Sequence, residues 1–95
     1  MIVSAGENVY PFEVEQVLRT HPQVEDAAVI GIRDVHFGQR LKAFVLLAPY
    51  AETTKEKLFE WLRARMARFQ LPKEIIFVDH LPYTSLGKPD KKLLN

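Results

Sequence analysis

Cysteine is absent from this chain, so neither a disulfide nor a thiolate metal site is available, and a reducing cytoplasm is the expected setting. Long apolar runs are absent too. The longest, such as Ala43 to Ala48, have the length of a strand and fall far short of the ~20 residues that a membrane span requires. The opening stretch, Met1 to Asn8, carries no basic leader and does not read as a signal peptide. His21, His36 and His80 stand without metal-ligand spacing, so no metal site is expected. Ser4 and Ser85 lack the Gly-x-Ser-x-Gly setting of a nucleophile elbow. Glu13 and Glu15, two apart on a helix, point in different directions and make no carboxylate pair. A self-contained catalytic set is missing.

What is present suits one small domain over residues 1–95. A chain of this length hides only about 60–70% of the surface its unfolded form exposes, which leaves little room for a deep private active site. Net charge is near neutral but unevenly placed. Residues 1–50 hold four basic and six acidic side chains, against nine basic and six acidic in 51–95. Arg63, Arg65, Arg68, Lys73, Lys88, Lys91 and Lys92 make the second half basic, which suits a phosphate-bearing partner, an acidic protein surface or an ordinary solvated face.

The patterning predicts an α+β fold, with a central sheet of about three strands packed by two to three helices. A short turn segment, Ser4-Ala5-Gly6, precedes them. Pro11 suits the first turn of a helix, and Val14, Val17, Leu18 and His21 give it an apolar face that Pro22 ends. Val24 to Ile32 and Leu41 to Ala48 read as strands of a hairpin, joined by a long polar loop from Arg33 to Arg40. Thr53 and Glu56 form a capping-box pattern before a second helix. Its stripe of Leu58, Trp61, Leu62, Met66 and Phe69 carries it to about Arg68 and belongs to the core. Ile75 to Val78 is a third strand, and Asp90 to Leu94 a last short helix. Strand order is not legible.

Two segments carry unusual residue types. In Leu81-Pro82-Tyr83-Thr84-Ser85-Leu86-Gly87-Lys88-Pro89, Gly87 frees the backbone beside Lys88 while two prolines stiffen the flanks. A lysine in such a loop is a cation on a long stem, able to reach into another molecule's site. It is not a phosphate-binding P-loop, because Pro82 and Pro89 stand where that pattern needs glycine and a hydroxyl residue. At the other end, Gly6 permits a close backbone approach, and Glu7 and Asn8 place polar groups before the first helix.

Together and in this order, the segments resemble the C-terminal domain of the adenylate-forming superfamily, which includes acyl-CoA synthetases, peptide-synthetase adenylation domains and luciferases. Ser4 to Glu15 is similar to the family's Ser-Gly-Gly-Glu-Asn-(Val/Ile)-Tyr-Pro-x-Glu-(Val/Ile)-Glu motif. His21 to Asp34, Arg68-Phe69-Gln70-Leu71-Pro72-Lys73 and Leu81 through Lys88 complete the likeness over nearly the whole chain. The form Glu7-Asn8-Val9-Tyr10-Pro11 leans toward fatty or aromatic acyl-CoA ligases.

The resemblance implies a lid domain, excised from a longer chain and inactive alone, that closes in two orientations over a large N-terminal AMP-binding domain. That domain binds ATP, Mg²⁺ and the carboxylic acid. Lys88 then serves adenylation, with Gly87 freeing its loop. Gly6 and Glu7 line the passage by which the CoA thiol reaches the acyl-adenylate. Arg68 and Lys73 are candidates for the CoA phosphates, whereas Lys91 and Lys92, standing where the family often has arginine, carry no firm role. Ala5 replaces the usual first glycine, which narrows the passage or tightens the turn. Two other classes remain: a non-catalytic module binding phosphate or nucleic acid through the basic half, and a passive docking fragment. Poor interleaving of aromatics with basic residues weighs against nucleic acid as partner.

Overall fold

The computed structural model describes residues 1–94. Strand β1 (Ile2–Ser4) and strand β2 (Glu7–Val9) form a small hairpin, followed by helix α1 (Pro11–Arg19). Strands β3 (Val24–Asp34) and β4 (Gly38–Leu47) pair antiparallel along their length. Helix α2 (Lys55–Arg63) then crosses to strand β5 (Glu74–Val78), which lies parallel to β4. The three expected strands are the body of the sheet, and the turn segment adds two short ones through pairing of Ser4 with Gly38. The order is β2-β1-β4-β3, with β5 beside β4 as well. None of the described helices is long and apolar enough to cross a membrane.

Strict alternation along the strands divides the interior into two layers. Ala27 and Val29 of β3, Leu41, Ala43 and Val45 of β4, and Ile75 of β5 face one way. There they meet Val14 and Leu18 of α1 and Leu58 and Leu62 of α2, the four helix residues being fully buried. Each such leucine contributes roughly 1.5–3 kcal/mol of transfer free energy. Ala28 and Phe44 face the other way and are covered by Leu81 and Leu94 from the C-terminal segment.

Several local expectations shift. The hairpin loop is much shorter than Arg33–Arg40, since both strands continue to a turn at residues 35–37. Asp34 makes that turn by accepting the N–H groups of His36 and Phe37, both at 2.9 Å. Thr54, not Thr53, caps α2 by accepting the Lys57 N–H at 3.2 Å, while the Thr53 N–H bonds the Gln23 side chain. Helix α2 ends at Arg63, so Met66 and Phe69 lie beyond it, Phe69 on a 3₁₀ turn over Arg68–Gln70. Helix α1 stops at Arg19, leaving His21 in the following turn, and the last helix is a 3₁₀ turn over Lys91–Leu93.

His21 joins the two helices. Its ring meets Trp61 edge-on with centroids 4.8 Å apart, and the Arg65 guanidinium covers Trp61 at 4.0 Å. Nδ1 of His21 accepts the Gln23 N–H at 3.0 Å. Burial and then the nearby Arg65 charge push this imidazole below its ordinary value of 6.5. The folded state therefore favours neutral His21, so its contribution is complete above pH 6.5 and is lost as pH falls through the lowered value. The expected melting temperature is flat above about pH 7 and declines from pH 6.5 toward 5. Thermal melts of His21→Gln, which no longer titrates there, should be flatter over that range; an equal slope would assign the decline elsewhere.

β3 is an edge strand, and α1 fills its open side. Glu15 Oε2 accepts the Val29 N–H at 2.7 Å, and Arg19 Nη2 donates to the Ala27 carbonyl at 3.0 Å. Four residues apart, the two side chains lie on one face of the helix.

Candidate functional site

The Lys88 segment folds as a miniature hairpin. Tyr83 and Pro89 form its bridge, the Asp90 N–H donates to the Pro82 carbonyl, and the Thr84 N–H donates to the Lys88 carbonyl, each at 2.7 Å. The Gly87 N–H closes the tip onto the Thr84 carbonyl at 3.0 Å. Gly87 has φ +82° with open space where a Cβ would stand, so its backbone angle, not crowding, calls for glycine. Lys88 is exposed on the returning limb, and its ammonium has no partner among the described residues. It is a free cation on an ordered turn.

Two ion-pair systems hold that hairpin to the sheet. Before the tip, Tyr83 Oη donates to Asp26 Oδ2 at 2.8 Å, and Arg19 Nε donates to Asp26 Oδ1 at 2.8 Å. Burial pushes the Asp26 carboxyl up, but hydrogen bonds from Arg19, Tyr83 and the Ala27 N–H outweigh it and hold the group below its usual range. Burial and the bond to that carboxylate raise the Tyr83 phenol, which keeps its proton. After the tip, Lys91 Nζ meets Glu15 Oε2 at 2.7 Å, on the same oxygen that accepts the Val29 N–H. Lys91 is thus committed to a buried carboxylate.

The N-terminal turn sits at the opposite end of β3. Ala5 at φ 50° and Gly6 at φ 82° give a two-residue turn with both angles positive, the pattern of a type I′ hairpin. The left-handed angle costs Ala5 about 1–2 kcal/mol. The Ala5 N–H donates to the Phe37 carbonyl at 2.9 Å, and the Val3 N–H to Gln39 Oε1 at 3.0 Å, which docks this turn on the β3–β4 turn. Gly6 and Glu7 are exposed on it.

Arg68 belongs to the same end. With Arg40, Arg63, Phe37, Met66 and Leu71 it lines a cleft of about 640 Å³. The Arg40 guanidinium lies 5.0 Å from the Phe37 ring, and the 3₁₀ turn bearing Arg68 packs on β2. Three arginines line this cleft, and the Arg40 guanidinium is partly engaged, donating to the Leu71 carbonyl at 3.3 Å. Lys73 is only partly available. Its Nζ pairs at 3.0 Å with Asp34 Oδ2, and that bond, with the Phe37 and His36 N–H groups, holds the Asp34 carboxyl down to about 2.

The expected site residues therefore separate into two groups. Gly6, Glu7, Arg68 and Lys73 gather around the β3–β4 turn, while Lys88 and Gly87 are anchored through Asp26 near the start of β3. From Asp26 to Asp34 the strand runs about 26 Å at ~3.3 Å per residue. Sequence reasoning missed Arg40 and Asp26, and it placed Arg63 only within a basic half. The one available signal was Asp34 before a polar, glycine-containing turn. No group of three or more His, Cys, Asp or Glu among the described residues is arranged to hold a metal ion.

Comparison with known proteins adds family and scale. Residues 13–88 match the family described as AMP-binding enzyme C-terminal domain. A feruloyl-CoA synthase of an Amycolatopsis species is 46% identical over 88 residues, covering 93% of this chain and 18% of that protein. The mitochondrial medium-chain acyl-CoA ligase of Homo sapiens is 37% identical over 91 residues, 96% of this chain and 15% of that one. Among solved structures, the Mycobacterium tuberculosis fatty acyl-CoA synthetase superimposes with a TM-score of 0.89 at 39% identity, over 99% of this chain and 18% of that chain. ATP-bound MatB from Rhodopseudomonas palustris gives 0.91 at 34% identity, over 99% and 19% respectively. The chain spans less than a fifth of the length of these relatives.

Proposed function

The chain belongs to the AMP-binding enzyme C-terminal domain family, and we propose that it is the mobile lid of an ATP-dependent acyl-CoA ligase. Such an enzyme joins a carboxylic acid to CoA and releases AMP and pyrophosphate. The large partner domain holds ATP, Mg²⁺ and the acid, and the lid alone is inactive. In one orientation the Lys88 ammonium enters the site and offsets the negative charge that gathers as the carboxylate attacks the α-phosphate. In the other, the Ala5-Gly6-Glu7 turn faces the site, and the arginine cleft receives phosphates of CoA. The acid itself is selected in the large domain; the relatives' names span aromatic and aliphatic acids. A reducing cytoplasm is the compartment we assign to a chain without cysteine.

One observation carries this reading: Gly6, Glu7, Arg68 and Lys73 gather at the Asp34 end of β3, whereas the hairpin bearing Lys88 is held at the Asp26 end. A cation and a thiol passage held at opposite ends of an eleven-residue strand do not serve one reacting centre in a single pose. Rotation between poses lets both serve it in turn.

The test separates the half-reactions in the full-length enzyme. Lys88→Ala should lose adenylation, measured as ATP–pyrophosphate exchange, and keep thioester formation from supplied acyl-adenylate. Arg68→Ala should do the reverse in part. Its KM for CoA should rise about tenfold or more, the weight of a charged hydrogen bond, with exchange unchanged. Unaltered CoA kinetics would remove Arg68 from the phosphate site. A lid that only docks, or a module that only holds phosphate, would tolerate Lys88→Ala in both assays.

A further inference from the structure

We propose that Tyr83 and Lys91 are positioning residues for the adenylation half-reaction alone, fixing the Lys88 hairpin to the open edge of β3 through Asp26 and Glu15. The inference rests on the reading of Lys88 given above. It goes further by naming what aims that lysine.

A lysine stem has four rotatable carbons, so the ammonium is placed only as well as its backbone is. The hairpin tip has no apolar support among the described residues. Leu86 is 83% exposed and Tyr83 is half-exposed. Its orientation therefore comes from the two limbs. The incoming limb leaves buried Leu81 and is caught two residues later by Tyr83 Oη on Asp26 at 2.8 Å. The outgoing limb is caught by Lys91 Nζ on Glu15 at 2.7 Å.

Both receiving carboxylates are themselves immobilised. Asp26 takes Arg19 and the Ala27 N–H on Oδ1, leaving Oδ2 for Tyr83. Glu15 is 4% exposed and already bound to Val29. Arg19 in turn bonds the Ala27 carbonyl, so one face of α1 and one strand edge form the seat for both anchors. A displacement of about 1 Å at a reacting group is enough to cost on the order of 10²-fold in rate. None of these contacts touches the Ala5-Gly6 turn or the arginine cleft. The second half-reaction thus has no reason to respond.

The experiment uses the full-length enzyme with Tyr83→Phe, which removes one oxygen at a half-exposed site, and Lys91→Met, which keeps the stem and removes the charge. Lys91→Arg supplies the conservative control, and Lys88→Ala runs alongside. The expected result is a fall of about ten- to a hundredfold in kcat for ATP–pyrophosphate exchange in both neutral variants. Thioester formation from supplied acyl-adenylate should stay within about twofold, and Lys91→Arg should restore most of the exchange. Equal losses in both half-reactions would mean a general loosening of the domain and would overturn the proposal. So would exchange at the wild-type rate while Lys88→Ala is dead, which leaves the role of Lys88 standing. If Lys88→Ala itself exchanges normally, both readings fall together.

Discussion

Replacing Lys88 by alanine in the full-length enzyme should lower ATP–pyrophosphate exchange by about 10²–10³-fold, the usual cost of removing one preorganised group that stabilises transition-state charge. The loss should be chemical and not structural. Lys88 is exposed and unpartnered among the described residues, so its removal strands no buried group. Stability should therefore stay within about 0.5 kcal/mol of the parent, which a thermal melt will check. Lys88→Arg should recover only part of the rate, because a planar guanidinium cannot occupy the position of a compact ammonium. Two controls frame the result: the 95-residue chain by itself, and the large domain by itself. Exchange restored by mixing them would further argue for a lid that acts preformed. Wild-type exchange in Lys88→Ala would remove the lysine from the chemistry, and a phosphate-holding module would become the better description.

Gly31→Ala should have the largest effect on the fold for the smallest change in atoms. A Cβ built at Gly31 stands 2.6 Å from Cγ2 of Ile2. Cγ2 branches directly from Cβ, so the side chain cannot swing aside as a long one would. Ile2 is 9% exposed and belongs to the main core. Strand β1 must move instead, and with it the Ala5-Gly6 turn. Overpacking of this kind costs about 1–3 kcal/mol. In a domain of this size each kcal/mol lowers the melting temperature by about 4–8 °C. The second half-reaction should weaken more than the first, since the displaced hairpin carries the proposed thiol passage and the Lys88 anchors lie elsewhere. Ile2→Ala removes the opposing methyl, so the double variant should be more stable than the sum of the single changes predicts. Strict additivity would show that Gly31 is not held by that contact.

Much of this architecture is legible from residue patterns, and the exceptions have physical causes. Strands β3 and β4 are visible as apolar runs because each packs on both faces, with Ala27 and Val29 one way and Ala28 the other. The extent of α2 is not. Leu62, Met66 and Phe69 keep a helical period, but the chain leaves the helix at Arg63 and turns extended at Ala67, where neighbouring structure overrides the local pattern. The parallel seat of β5 beside β4 depends on contacts distant in sequence and leaves no local trace. Glu15 shows the limit most clearly. A glutamate beside Val14 reads as solvent-facing, yet it is buried because Val29 and Lys91 supply its partners. Lys88 and Gly6 could be named from motif alone, whereas their anchoring at opposite ends of β3 required the fold.

The filled edge of β3 has a consequence for the enzyme as an assembly. An eleven-residue strand with bare backbone groups would invite a strand from another chain to dock alongside. Glu15 and Arg19 occupy Val29 and Ala27 at that border. On the lid reading proposed above, a domain that releases its partner and swings presents on that side fewer bare backbone groups to its own copies. The helix whose Glu15 anchors the Lys88 hairpin thereby also shields part of an open strand edge.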